Sequence, residues 1–148
     1  MDHNNYPRLA AMTVLSFVAM YILMYSMVNV FENVYPSINQ FYMAGLMTAP
    51  MVILEMLLMG MMYKNKRINL AIIAVAIVAL IGFFLTIRYQ AAVSDEEFLK
   101  SMIPHHAGAI LMCEKAEIAD PEIQQLCQNI LSGQQEEIEQ MKRILERL

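Results

Sequence analysis

Charge is scarce in this chain: 16% of its 148 residues are charged, and 58% are hydrophobic. Residues 1–93 hold only Arg8, Lys64, Lys66, Arg67 and Arg88 against Asp2, Glu32 and Glu55. So few charges exclude an ordinary globular domain for this part and point to a membrane protein. A basic n-region ahead of the first apolar run is also missing from MDHNNYPR, and no small-residue cleavage pattern follows. The run is therefore expected to remain in the protein rather than leave as a signal peptide. Cysteine is confined to Cys113 and Cys127, so no zinc-finger spacing is present. An excess of base is lacking where nucleic acid would need it. Residues 94–148 carry five basic and eleven acidic side chains, a net −6, against +2 for residues 1–93. A tail of that sign repels nucleic acid and anionic head groups and gathers cations, so nucleic acid is not an expected partner.

What is present is apolar length. Residues 9–31, 41–63 and 68–87 each reach roughly 30 Å as helix at about 1.5 Å per residue, enough to cross a bilayer. The expected organisation is a three-span transmembrane domain over residues 1–90 and a helical hairpin over 94–148. Orientation follows from Lys64-Asn65-Lys66-Arg67, the one basic loop, which belongs in the cytoplasm. The N-terminus then lies inside, while the Lys/Arg-free loop 32–40 and the tail lie outside. Ser94-Asp95-Glu96-Glu97 reads as a capping box with acid in the first turn, and Asp120-Pro121-Glu122 as a second helix start. Pro104 either kinks the first hairpin helix or breaks it.

Heptad spacing puts Phe98, Met102, His105, Ala109, Met112 and Ala116 on one helix face, and Ile123, Cys127, Ile130, Gln134, Glu137, Met141, Ile144 and Leu148 on another. If these faces meet in a tight hairpin, Met102 is expected opposite Glu137, His105 opposite Gln134 and Met112 opposite Cys127, to within a turn of about 3 or 4 residues. Leu99, Ile103, Ile110 and Leu111 then fall off the seam, against a partner or the membrane. Polar groups in a seam cost on the order of 1–3 kcal/mol each if unpaired. Met102, His105, His106 and Glu137, with Met112 and Met141 nearby, are thus candidate metal ligands. Imidazole suits several transition metals, whereas thioether selects copper(I), so copper is the expected ion. The plainer reading is that His105 hydrogen-bonds Glu137 or Gln134 in a packed layer while His106 stays half exposed.

The stretch Phe98 to Ile110, with its Met102-Ile103-Pro104-His105-His106 core, and the later Gln134-Gln135-Glu136-Glu137-Ile138-Glu139-Gln140-Met141 resemble the bacterial domain-of-unknown-function 305 family. The three preceding spans resemble its membrane-bound subset. The resemblance implies a ferritin-like helical bundle in a bacterial inner membrane, with copper handling in some members. The family pattern covers Met102, His105, His106 and Met141. Cys113 departs from it, and one hairpin stands where some members have two. The Glu-x-x-His motif of di-iron ferritins is absent, which argues against iron oxidation.

Met43, Met47, Met51, Glu55 and Met59 form a four-residue stripe in the second span. It reads as a soft-metal path or as ordinary apolar packing. Glu55 needs a partner inside a span, with Asn29, Thr13 or Thr86 available. Cys113 and Cys127 lie near the facing seams and are expected to form a disulfide, with two buried thiols and a second soft-metal site with Met112 as the competing readings. A lone hairpin is too small to bury both sides of its seam, so two are expected to pair as a four-helix bundle across a homo-oligomer. The expected function is extracytoplasmic copper binding, buffering or transfer without catalysis. The rivals are a structural module whose His/Glu layer fixes register and a metal-dependent redox enzyme.

Overall fold

The computed structural model describes residues 5–148. Among them are five α-helices and no strand: α1 Tyr6–Leu23, α2 Ile38–Leu58, α3 Lys66–Arg88, α4 Asp95–Lys115 and α5 Pro121–Leu145. The protein is all-α. Residues 1–4, half of the N-terminal segment bearing on the signal-peptide question, lie outside the described residues. Three helical stretches, Tyr6–Met27, Ile38–Leu58 and Lys66–Arg88, are long and apolar enough to cross a membrane.

The boundaries have local causes. The first apolar run is helical only to Leu23 and tightens into a 3₁₀ turn at Met24–Met27. Beyond it, the Asn29 carboxamide oxygen accepts from Val30 N at 2.9 Å and Asn33 Nδ2 at 2.9 Å, a local alternative to helical bonding. The second helix starts just after Pro36, whose ring disfavours helix in the residue before it, and ends ahead of Gly60. Asn65 caps α3, accepting from Arg67 N and Ile68 N at 3.0 and 3.2 Å.

The chain divides into two compact units: residues up to Leu23 with Asn39–Ala91, and Met24–Ile38 with Ala92–Leu148. In the first, Leu9, Met56 and Tyr63 form a buried cluster joined by Tyr6, Met12, Ile72 and Ile73. Tyr6 donates to Asn69 Oδ1 at 2.7 Å, and its ring lies 5.3 Å from that of Tyr63. Gly45 admits the Phe83 ring, because a Cβ there would lie 2.4 Å from it. Glu55 finds its partner in Tyr63, whose hydroxyl donates at 3.1 Å. The expected partners are engaged elsewhere: Thr13 bonds the Leu9 carbonyl, Thr86 the Phe83 carbonyl, and Asn29 belongs to the other unit. The inward face of α2 is Ala44, Gly45, Thr48, Ala49, Val52 and Met56. Met43, Met47 and Met59 are exposed instead, so the stripe does not line the interior of a single three-helix unit.

The second unit is the α4–α5 hairpin with the α1–α2 connection packed on it. Ser94 Oγ accepts from Glu97 N at 3.3 Å, and Asp120 Oδ1 accepts from Glu122 N at 2.8 Å with Pro121 at the first helical position. Helix α4 runs unbroken through Pro104. The core is Leu99, Ile103, Ala107, Ile110, Ile138 and Met141, with Val28, Tyr35, Met102, Leu131, Ile144 and Leu145 packed against it. This corrects the expected seam: Leu99, Ile103 and Ile110 face inward, while Phe98 and Met112 are exposed. The two stripes are neighbours on one helix, about 100° apart. Residues 24–38 close the opposite side. Glu97 Oε2 accepts from Ile38 N at 2.6 Å, a charge-assisted bond to a helix-terminal N–H.

Candidate functional site

His106 is brought to α5 by the inward rotation of α4, in the place expected for His105. Its ring is buried, with a polar partner at each nitrogen. Nδ1 lies 2.9 Å from the Met102 carbonyl oxygen, one turn back. A carbonyl only accepts, so Nδ1 carries the hydrogen and donates it. Nε2 lies 2.7 Å from Glu137 Oε2 on α5. With the Nδ1 proton fixed, a neutral ring turns its Nε2 lone pair toward a carboxylate. At that distance the contact is a hydrogen bond, which links α4 to α5 at this level.

The remaining candidates sort by distance from this pair. Met102 lies one turn before His106, and Met141 one turn after Glu137. In an antiparallel hairpin registered at His106–Glu137, the two thioethers share a level, with Met141 buried and Met102 packed on its cluster. Glu137 is open to solvent, with 57% of its side chain exposed, so the pair is accessible from that side. His105 is exposed, and its ring centroid stands 6.2 Å from that of His106. Its seam position, and Met102 opposite Glu137, are therefore corrected: the register places His106 there. Met112 is exposed and sits about 9 Å along the axis from His106, so the hairpin does not bring it to the pair. Cys113 and Cys127 form a disulfide, with Cα atoms 5.4 Å apart, two turns from the site. Among the described residues, no three His, Cys, Asp or Glu side chains group as a metal site.

The group that the sequence did not disclose is the Met102 carbonyl. A histidine four residues after a carbonyl on one helix face carries that signal, but only once its rotamer is known.

The Domain of unknown function family DUF305 matches residues 46–145, which takes in most of α2 and all of α3 as well as the hairpin. The uncharacterized protein L153 of Acanthamoeba polyphaga mimivirus is 36% identical over 141 residues, covering 91% of this chain and 89% of that protein. No solved structure matches. With two thirds of its length under the family pattern and a relative aligned almost end to end, the chain belongs to the DUF305 family.

Proposed function

We propose that this is a membrane-anchored protein that binds a soft metal cation, copper(I) foremost, at the His106–Glu137 pair of its hairpin. The observation that carries the reading is the Nδ1–H bond to the Met102 carbonyl. Metal-binding histidines are commonly held this way, with one nitrogen donating to an oxygen so that the other keeps its lone pair for the ion. The donor set fits copper(I) better than zinc(II). One imidazole and one carboxylate fall short of the four N, S or O ligands zinc prefers, and the further donors at this level are the thioethers of Met102 and Met141. Bound there, the ion would be held by His106 Nε2 and the Glu137 carboxylate, with the thioethers of Met102 and Met141 as further donors.

The experiment is competition with a copper(I) chelator on the full chain in detergent. His106→Ala is expected to lower copper(I) affinity on the order of a hundredfold, by analogy with the loss seen when metal-site geometry is disturbed. Met102→Leu weakens copper(I) and leaves zinc(II) unchanged. Equal retention of copper(I) by wild type and His106→Ala would sink the reading. The second reading then stands: the His106–Glu137 pair, each satisfied by the other, fixes hairpin register without metal.

The three long apolar helices are proposed to span the membrane with Lys64-Asn65-Lys66-Arg67 on the cytoplasmic side and the hairpin opposite. Two features support this. The α1–α2 connection and the segment after α3 fold as one unit, as they must if both leave the membrane on one face. A Cys113–Cys127 bridge also persists only where the surroundings are oxidising. A cysteine introduced at residue 148, with Cys113 and Cys127 replaced, is expected to react with an impermeant reagent in intact cells. Reaction at residue 65 instead reverses the orientation.

A further inference from the structure

The hairpin is a two-helix layer with one face covered and one open. On the covered side, Val28 and Tyr35 pack on the core, and the Met27 carbonyl lies 3.5 Å from where a Gly108 Cβ would stand. On the other side of α4, Phe98, His105 and Met112 are exposed, with Phe98 half and Met112 55% open to solvent. These positions repeat at heptad spacing around the half-buried Met102 and Ala109, and none of the five is an acid, a lysine or an arginine. Helix α5 continues the patch with Ile123 and Leu126, which share a stripe with Glu137. Both stripes border the His106–Glu137 pair, so they belong to one face. A layer of helices stable in water covers such a face with another layer.

We infer that this open face pairs with the same face of a second copy, and that His105 of that copy completes the metal site of His106 and Glu137. The inference rests on the soft-cation reading above. Three observations select a second copy as the occupant. At the level of the His106–Glu137 pair the face carries one histidine, His105, and one carboxylate, Glu137, a set complementary to itself under a twofold rotation, while the exposed Asp95 and Glu122 lie toward the two ends of the hairpin. Copies held by spans in one bilayer present the same face at the same height, which raises their effective concentration. A lipid surface is opposed by the −6 charge of residues 94–148. The pairing also answers a deficiency of the single chain, in which no three His, Cys, Asp or Glu side chains group among the described residues. Two imidazoles, one carboxylate and adjacent thioethers then surround one ion.

The test uses the full chain in detergent, with light scattering for the oligomeric state and copper(I) titration for the site. Wild type is expected to be a dimer holding two copper(I) ions. Met112→Glu, a change at an exposed position, splits it into folded monomers. His105→Ala and Glu137→Gln homodimers each lose affinity at least tenfold. A mixed dimer, one copy of each variant isolated through two different tags, keeps one intact site and recovers one copper(I) per dimer. No recovery in the mixed dimer overturns the shared site, as does wild-type affinity in His105→Ala. A monomer that binds copper(I) tightly overturns this inference alone. A dimer that binds none overturns the soft-cation reading together with the shared site, while the pairing of faces stands on light scattering. A monomer bound to vesicles through Phe98 and Met112 assigns the face to lipid and overturns the pairing.

Discussion

Alanine at Ile138 is expected to cost the hairpin about 2–5 kcal/mol, and alanine at Ile103 a similar amount. Both side chains are fully buried and lie in the same cluster, so truncation of either leaves a cavity that the disulfide-tied hairpin closes only in part. The measurement is amide hydrogen exchange of α4 and α5 in the detergent-solubilised chain, which reads the opening of this unit without unfolding the long apolar helices. Each tenfold loss of protection corresponds to about 1.4 kcal/mol, so core amides should exchange on the order of a hundredfold faster. Met112→Ala provides the contrast. Its side chain is exposed, and its loss acts on association rather than on the single hairpin. Slow exchange in Ile103→Ala with fast exchange in Met112→Ala would restore the heptad seam read from the sequence and sink the observed packing.

Reduction of the Cys113–Cys127 bridge is expected to cost about 3 kcal/mol, the loop-entropy value for a closed loop of roughly 15 residues. The bridge joins positions 14 residues apart, across the turn that ends α4 and starts α5. Without it, Ala116 to Asp120 is held by the Asp120 cap and by the Ala116 N–H bond to the Met112 carbonyl. Protection should therefore fall by about two orders of magnitude near the turn, with a smaller loss toward Ser94. The same double change, Cys113→Ser with Cys127→Ser, should reproduce the effect in the absence of reductant. Unchanged exchange in protein shown by mass to be reduced would mean that the helices, not the bridge, hold the turn. Copper(I) affinity at His106 serves as a control, because the bridge lies two turns away and supplies no donor to the pair.

Several parts of this molecule are local in origin and were legible residue by residue. Ser94 and Asp120-Pro121 start α4 and α5 because a side-chain oxygen must meet free N–H groups wherever a helix begins. The three apolar runs show in their length and composition alone that each is long and apolar enough to cross a membrane as a helix. The pair Cys113 and Cys127 was within reach of a bridge once a hairpin about residue 120 was assumed. Helix ends were less legible: Asn29 and Asn33 divert the chain after Met27, through side-chain bonds that compete with helix.

What the sequence by itself determined, then, is three apolar helices, a helical hairpin, the caps of its two helices and its turn. Only the tertiary structure decided which face of α4 turns inward. The stripes through Phe98, His105 and Met112 and through Leu99, Ile103, His106 and Ile110 are both apolar and both helical in period, so periodicity makes α4 a helix without choosing between them. The choice came from packing against α5 and against a third element. Ile103 and Leu99 fill the space against Ile138 and Met141, and residues 24–38, remote in sequence, cover the side beyond. A rotation of one residue along α4 exchanged His105 for His106, because consecutive residues on a helix stand about 100° apart and a packed core admits one of them.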